Sequence, residues 1–179
     1  VGSNNWRKII AGSIGAAALQ CDADRPPVRH YTARAMTAAT LIALDWGTSN
    51  LRASLLGPQG ALLDRRSAPV GVMAVPAGGF EAALRALCGD WIDRHAVPLL
   101  ASGMIGSRQG WVEAPYAACP ATLQAVAAQR VAVPLAGGAT LHIVPGLCCT
   151  GPDGQADVMR GEETQLWGAG LSAGDVCVL

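Results

Sequence analysis

The sequence predicts an α/β fold in which a mixed β-sheet is flanked by helices. Residues 41–56 read as two apolar strands joined by a polar turn, a pattern typical of a β-hairpin. A further strand, a helix and another strand follow in the order of a βαβ unit. Hydrophobic residues make up 51% of the 179 residues and charged residues 15%, so the chain can form one domain with its own core.

The first half of the predicted domain continues from the hairpin. A turn at residues 57–60 ends the hairpin, and residues 61–66 are predicted to form the third strand. Apolar residues then recur at helical spacing, which predicts a helix over 80–94, and residues 97–101 read as a short apolar strand. The predicted buried residues of the helix are Phe80, Leu84, Leu87 and Trp91.

The second half is predicted to alternate in the same way. Proline is tolerated in a first helical turn, so a short helix is expected over 120–129, followed by a strand over 141–144. Asp157 is expected to cap a helix over 157–169. A last strand is expected over 175–179.

Charge and cysteine usage narrow the function classes. The 13 basic and 13 acidic residues balance and form no basic block, so neither nucleic acid nor a membrane surface is an expected partner. None of the six cysteines forms a C-x-x-C pair, and the three histidines are far apart, so zinc is not expected. Cys88 and Cys177 lie in apolar runs and read as core residues. We expect free thiols in a reducing, cytoplasmic compartment.

The hairpin turn has the composition of an anion site. Gly47 lets the backbone bend tightly, and successive N–H groups at such a bend form an anion-binding concavity. Asp45, at the end of the first strand, is placed to hold Mg²⁺ directly or through its waters. The sequence has no Gly-Lys-Ser/Thr triplet, so phosphate chemistry here would depend on backbone N–H groups, Mg²⁺ and arginine. An ordinary hairpin with a polar turn is the alternative.

Two further stretches carry candidate functional groups. Residues 102–116 form a glycine-rich loop with polar side chains after a predicted strand, where ligands bind in open α/β sheets; a solvated surface loop is the alternative. The predicted 157–169 helix places Glu162 and Glu163 among apolar residues, where burial would raise a carboxyl pKa. A structural pairing with Arg160 or an incoming arginine is the alternative there. The neighbours of the two glutamates at a spacing of four are Val158, Leu166, Met159 and Trp167.

Three motifs together carry a resemblance to a known family. Residues 45–49, Asp-Trp-Gly-Thr-Ser, with Arg52 beyond them, resemble the first phosphate motif of the actin, sugar-kinase and Hsp70 superfamily. Residues 103–111 (GMIGSRQGW) and 157–165 (DVMRGEETQ) narrow the similarity, in this order, to the 2-dehydro-3-deoxygalactonokinase family. The similarity runs over 36–179.

The resemblance implies a ribonuclease-H-like fold, the first domain of an actin-like ATPase, and ATP-dependent phosphorylation of 2-dehydro-3-deoxygalactonate to its 6-phosphate. ATP, Mg²⁺ and the sugar acid are the implied ligands, and a homo-oligomer is a possible assembly of the full-length protein. The implied catalytic residues are Asp45, which is also the metal ligand, and Glu162 or Glu163. The residues that the resemblance implies for binding the nucleotide phosphates are Gly47, Thr48, Ser49 and Arg52. Those implied for substrate are Asn50, Ser107, Arg108, Gln109 and Trp111, with Arg108 suited to a carboxylate.

The expected domain spans residues 36–174, with 175–179 as the first strand of a second domain that the chain lacks. Such a chain is expected to be inactive alone. Residues 1–35 are expected to be an extension outside the fold; an export signal is the alternative, because Arg7-Lys8 precedes an apolar run. Other functions left open are another sugar kinase, a polyphosphate phosphatase of the same superfamily, and a non-catalytic sugar-acid sensor.

Overall fold

The computed structural model describes residues 38–151 and 153–168. The expectations for residues 1–35 and 175–179 lie outside the described residues. Within them, the strands are β1 Leu41–Trp46, β2 Leu51–Leu56, β3 Leu62–Ala68, β4 Leu99–Ser102, β5 Tyr116–Ala118, β6 Val131–Pro134, β7 Thr140–Ile143, β8 Gly146–Thr150 and β9 Ala156–Met159. The α-helices are α1 Phe80–Arg94, α2 Leu123–Ala128 and α3 Glu162–Gly168.

A mixed six-stranded sheet forms the body of the domain, in the order β3-β2-β1-β4-β7-β6. β1 pairs antiparallel with β2 and parallel with β4, and β4 pairs parallel with β7. β1 is therefore an interior strand whose carboxyl end lies beside that of β4. The predicted mixed sheet and the predicted hairpin are both confirmed.

The side chains of β1 alternate between the two faces of the sheet. Ile42, Leu44 and Trp46 are buried, whereas Ala43 and Asp45 are partly exposed. Successive residues of a strand point to opposite faces, so Asp45 belongs to the face away from the main core.

α1 has the predicted bounds and covers the buried face of the sheet. Phe80, Leu84 and Trp91 are buried in the same apolar cluster as the β1 residues, and Leu87 packs partly buried against it. Cys88 is fully buried there, as predicted. Helical spacing of apolar residues was thus a sufficient guide to this element.

A three-stranded sheet in the order β5-β8-β9 packs with α2 around a smaller apolar cluster. The helix in this region was predicted to begin at Pro120, and that start is wrong. Thr122 caps α2 instead, since its side-chain oxygen accepts a hydrogen bond from the Ala125 amide. Trp167 of α3 packs against the same cluster.

The prediction that Asp157 caps a long helix is also wrong. Asp157 lies in β9, where it pairs with Cys149 of β8. Gly161 adopts a positive φ of 107°, so regular secondary structure does not continue from β9 into α3. The helix therefore begins at Glu162, and Val158 and Met159 do not share a helical face with the two glutamates.

Two further features bear on the functional classes. Cys88, Cys119, Cys148 and Cys149 carry free thiols. Among the residues that the structure describes, no helix has both the length and the apolar character needed to span a bilayer.

Candidate active site

Asp45 and Arg52 face each other across the two strands of the hairpin. They are register partners in the antiparallel pair β1–β2. Arg52 Nη1 donates to Asp45 Oδ2 at 2.9 Å. The interaction occupies one carboxylate oxygen, and both side chains remain open to solvent on the face away from α1.

The backbone of the hairpin tip is held by its own turn and by residues 71–73. Gly47 N–H donates to Asn50 O at 2.9 Å. On the outer side, Gly47 O accepts from the Val72 amide at 3.0 Å. A Cβ at Gly71 would lie 2.1 Å from Thr48 O, so this close approach requires glycine.

The amide groups of Thr48 and Ser49 are left free by this arrangement. In the described part of the chain, neither N–H donates to a carbonyl or to a side chain, and both residues are exposed. Backbone amides without a partner at a bend are the kind of donor that anion sites use.

The carboxyl end of β4 lies directly beside Asp45. Ser102 is the register partner of Asp45 in the parallel pair β1–β4. Gly103 follows with a φ of 95°, and a Cβ there would lie 2.9 Å from Trp46 O and 3.6 Å from Asp45 Oδ1. The chain therefore turns tightly past the end of β1, as only glycine readily allows.

The first turn of α3 packs on this same turn. A Cβ at Gly161 would lie 3.1 Å from the Cα of Gly103. Thr164 Oγ1 donates to Gly161 O at 2.6 Å and lies 3.3 Å from Ser102 Oγ. The start of α3 is thus placed against the ends of β1 and β4, next to Asp45.

The two predicted glutamates differ in their surroundings. Glu162 is exposed, and its Oε2 accepts from the Arg160 amide at 3.0 Å. Glu163 is only 1% exposed, its Oε2 accepts from the Gly161 amide at 2.6 Å, and its Oε1 has no hydrogen-bond partner within the described residues. The sequence could not distinguish the two, but the structure does.

Burial raises the pKa of Glu163 to about 7. Removal from water disfavours the charged carboxylate, and the neighbouring charge of Glu162 raises the pKa further. The hydrogen bonds to backbone amides and the charge of Arg160 act in the opposite direction. A carboxyl group with this pKa can accept and return a proton near neutral pH.

An open pocket of about 230 Å³ runs between β1, β2, β4 and the start of α3. Its polar lining residues are Asp45, Arg52, Ser54, Arg65, Ser102 and Thr164. Sequence reasoning missed Ser54, Arg65, Ser102 and Thr164 as site residues. Ser102 had a usable signal, since it ends a strand parallel to β1, where ligands of α/β sheets bind.

The predicted substrate residues of the 102–116 loop do not line this pocket. Ser107 is buried and its hydroxyl donates to Met104 O at 2.7 Å, which stabilises the turn. Arg108 and Gln109 are exposed and form no hydrogen bond within the described ranges. The ring of Trp111 stacks on that of Phe80, with centroids 5.9 Å apart, so one face of Trp111 is already covered.

Three comparisons with known proteins agree on one family. The sequence model of the family described as "2-keto-3-deoxy-galactonokinase" matches residues 45–179. The chain is 40% identical over 131 residues to 2-dehydro-3-deoxygalactonokinase of Escherichia coli (strain K12), covering 73% of this chain and 42% of that protein. It is 38% identical over 138 residues to the DgoK1 protein of Rhizobium meliloti (strain 1021), which is assigned the same activity, covering 77% and 44%.

The fold comparison points the same way. The crystal structure of a Sinorhizobium meliloti protein assigned as a 2-dehydro-3-deoxygalactonokinase superposes with a TM-score of 0.64 at 38% identity, covering 73% of this chain and 42% of that one. The chain therefore spans less than half the length of these relatives. The family match covers the hairpin carboxylate, the 103–111 loop and the acidic start of α3. The chain belongs to the 2-keto-3-deoxy-galactonokinase family.

Proposed function

We propose that the full-length protein transfers the γ-phosphoryl group of ATP to 2-dehydro-3-deoxygalactonate, giving the 6-phosphate and ADP. The observation that carries this proposal is the convergence of Asp45, Ser102 and the first turn of α3 at one edge of the sheet. Phosphoryl transfer depends mainly on positioning and charge neutralisation. An open carboxylate, free amides and a buried base at one edge suit that chemistry.

The proposed fold type is ribonuclease-H-like, as in the first domain of actin-like ATPases. It is supported by an interior first strand with an antiparallel neighbour on one side and a parallel neighbour on the other. In this arrangement a second domain would close over the carboxyl edge of the sheet, where Asp45 and Ser102 lie. The proposed location is the cytoplasm.

Asp45 is the proposed Mg²⁺-organising residue. Arg52 occupies its Oδ2, and Oδ1 remains available beside the turn at Gly103. Within the described ranges no three His, Cys, Asp or Glu side chains are grouped to hold a metal. This fits Mg²⁺, which keeps several waters and binds through one or two carboxylates and substrate phosphates. When bound, it would neutralise charge on the transferred group.

The hairpin tip is the proposed phosphate cradle. The amides of Thr48 and Ser49 are free to donate, and Gly47 gives the bend its shape. The guanidinium group of Arg52 lies beside Asp45 at the base of the turn. It would therefore also lie near phosphates bound at the tip and balance their negative charge. The chain itself thus provides donors on one side of a nucleotide.

Glu163 is the proposed general base for the sugar hydroxyl. Its pKa of about 7 lets it take a proton at neutral pH. Both acids accept a backbone amide, but Glu162 is exposed, so burial does not favour its protonated form as it does for Glu163. The assignment thus gives the two adjacent acids different roles.

The exposed side chains of Asn50, Arg108 and Gln109 are proposed to bind the sugar acid, with Arg108 on its carboxylate. Ser107 would shape their loop, and the uncovered face of Trp111 would meet the carbon skeleton. In the described structure these residues lie outside the pocket, so substrate binding would draw the exposed part of the loop, at Arg108 and Gln109, toward Asp45.

The test is a coupled ADP-release assay on the full-length protein. The protein should release ADP from ATP when 2-dehydro-3-deoxygalactonate is the phosphoryl acceptor, whereas the C4 epimer of this acid and neutral hexoses should be poor acceptors. Phosphate release from polyphosphate would instead favour the phosphatase alternative. Sugar-acid binding by calorimetry with no ADP release would favour the sensor alternative, and either result contradicts the proposal.

A further inference from the structure

The guanidinium group of Arg160 joins the loop after β4 to the start of α3. The side chain is 8% exposed. Nη2 donates to Ala114 O at 2.8 Å and Nε donates to Tyr116 Oη at 3.3 Å. The guanidinium carbon lies 4.2 Å from the centroid of the Tyr116 ring. Two directed hydrogen bonds and an aromatic face fix the orientation of the guanidinium plane.

Gly106 leaves the space that this guanidinium occupies. A Cβ on Gly106 would lie 2.7 Å from Arg160 Nη1, so the 103–107 turn rests directly on that nitrogen. Nη1 is enclosed and has no hydrogen-bond partner in the part of the chain described. An unpaired buried donor is unfavourable for stability, so the contacts of Nε, Nη2 and the Tyr116 ring must hold the guanidinium in this place.

The backbone of Arg160 leads directly into the acidic pair. Its own amide donates to Glu162 Oε2 at 3.0 Å, and the next amide, of Gly161, donates to Glu163 Oε2 at 2.6 Å. Gly161 in turn packs on Gly103. The side chain of Arg160 is therefore anchored on the loop, while its own amide holds Glu162 and the next amide, of Gly161, holds Glu163.

We propose that Arg160 is a positioning residue for Glu163. Its guanidinium fastens the 103–114 segment to the start of α3 and so fixes the Gly161 amide that holds the Glu163 carboxylate. Arg160 itself does not touch substrate. The inference rests on the proposed role of Glu163 as general base. It gives Arg160 a part in that role, whereas the sequence suggested Arg160 only as a structural ion-pair partner.

Arg160 also supplies positive charge near Glu163. The charged groups that act on Glu163 are Arg160, just after β9, and Glu162 on its own helix. The 103–107 turn brings no charged side chain. Removing the Arg160 charge disfavours the ionised form of Glu163, which raises the pKa and moves the acid limb of kcat to higher pH.

The experiment compares Arg160→Gln, Arg160→Lys and a matched control, Arg130→Gln, in the full-length protein. Arg130 is an exposed arginine whose side chain donates one hydrogen bond, to Ala127 O. Carboxyl-¹³C glutamate NMR, assigned with Glu163→Gln, reads the Glu163 pKa without turnover. Arg160→Gln should raise that pKa, and a rise of one unit from about 7 would lower the ionised fraction of Glu163, and with it kcat at pH 7, roughly fivefold. Arg160→Lys should restore most of the pKa but not the full kcat, because lysine cannot hold both anchoring bonds.

Arg160→Gln indistinguishable from Arg130→Gln in both the Glu163 pKa and the acid limb of kcat would overturn the inference. If the full-length protein releases no ADP, the NMR titration still decides the Arg160 inference while the proposed function fails separately. If Arg160→Gln does not fold, Gly106→Ala takes its place, since its Cβ displaces the guanidinium and should likewise perturb the Glu163 pKa.

Discussion

Arg52 donates to Asp45 Oδ2 at 2.9 Å across the hairpin, from the register position directly opposite. The two side chains are 45% and 44% exposed. An ion pair this open contributes at most about 1 kcal/mol to stability. Its main effect is therefore geometric, because it fixes the carboxylate and leaves Oδ1 facing the turn after β4.

Asp45→Asn tests the metal-organising role. The variant should fold normally, because the side chain is exposed, while turnover of the full-length protein falls by orders of magnitude. Asp64→Asn on the neighbouring strand β3 is the control, since Asp64 is also exposed and pairs with Arg66. Near-normal kcat in Asp45→Asn, at saturating Mg²⁺ and ATP, would contradict the assignment.

Arg52→Ala separates charge neutralisation from bracing of the hairpin. Loss of an exposed ion pair should change the free energy of unfolding by less than about 1 kcal/mol. If Arg52 balances phosphate charge, kcat/KM for ATP should fall at least roughly tenfold, as expected for loss of a charge-assisted hydrogen bond. A large drop in Tm with unchanged kinetics would show that bracing is its role.

Arg108→Ala tests recognition of the substrate carboxylate. A charge-assisted hydrogen bond is worth roughly 1.5–3 kcal/mol, so KM for the sugar acid should rise roughly tenfold or more, with KM for ATP little affected. Arg130→Ala removes another exposed arginine and should change neither constant. An unchanged KM in Arg108→Ala would exclude this role.

Glu163→Gln should alter the pH dependence of stability. Burial raises the pKa of Glu163 from its ordinary 4.5 to about 7, so the folded protein binds this proton more tightly than the unfolded chain. The stability gained from this tighter proton binding is present in full below pH 4.5 and is lost as the pH rises through 7. At about 1.36 kcal/mol per pH unit, the loss is roughly 3 kcal/mol.

Thermal unfolding at pH 5 and pH 8 measures this effect. The Tm of Glu163→Gln relative to the parent protein should be higher at pH 8 than at pH 5, because glutamine does not ionise. Glu113→Gln, at an exposed position, should show no such difference. Equal differences at both pH values for Glu163→Gln would show that Glu163 titrates normally.

The hairpin and α1 could be predicted because local pattern and tertiary burial agree there. Period-two alternation places Ile42, Leu44 and Trp46 on one face of β1, and a period near four places Phe80 and Leu84 on one face of α1. In both elements the apolar residues meet the same core, so a one-dimensional pattern was enough.

The β8–β9 region could not be predicted in this way. Residues 157–167 satisfy a helical spacing, yet Asp157 and Val158 pair with β8, and the strand and the helix are separated by Arg160 and Gly161. Pairing with a strand about ten residues earlier depends on tertiary contacts, and the spacing of apolar residues along the sequence does not report such contacts. The glycine was the available signal, because a positive φ stops a helix from continuing backward.

The position of Asp45 at a strand end was predictable because a motif coincides with the end of an apolar run, whereas its role remains a prediction. The candidate site was not predictable where distant segments meet. Thr164 reaches Ser102 only because α3 packs on Gly103, and the difference between Glu162 and Glu163 arises from burial that the sequence does not state. The predicted roles of Arg108 and Gln109 remain predictions.

Stacking of Trp111 on Phe80 gives the protein a built-in optical probe. Trp111 is only partly buried and follows Arg108 by three residues, whereas Trp46 and Trp91 are enclosed in the core. Indole emission depends on solvent contact, so movement of the 103–111 loop would change the emission of Trp111 far more than that of the enclosed tryptophans. Binding of a sugar acid could therefore be followed by intrinsic fluorescence in real time, with Trp111→Phe as the silent reference.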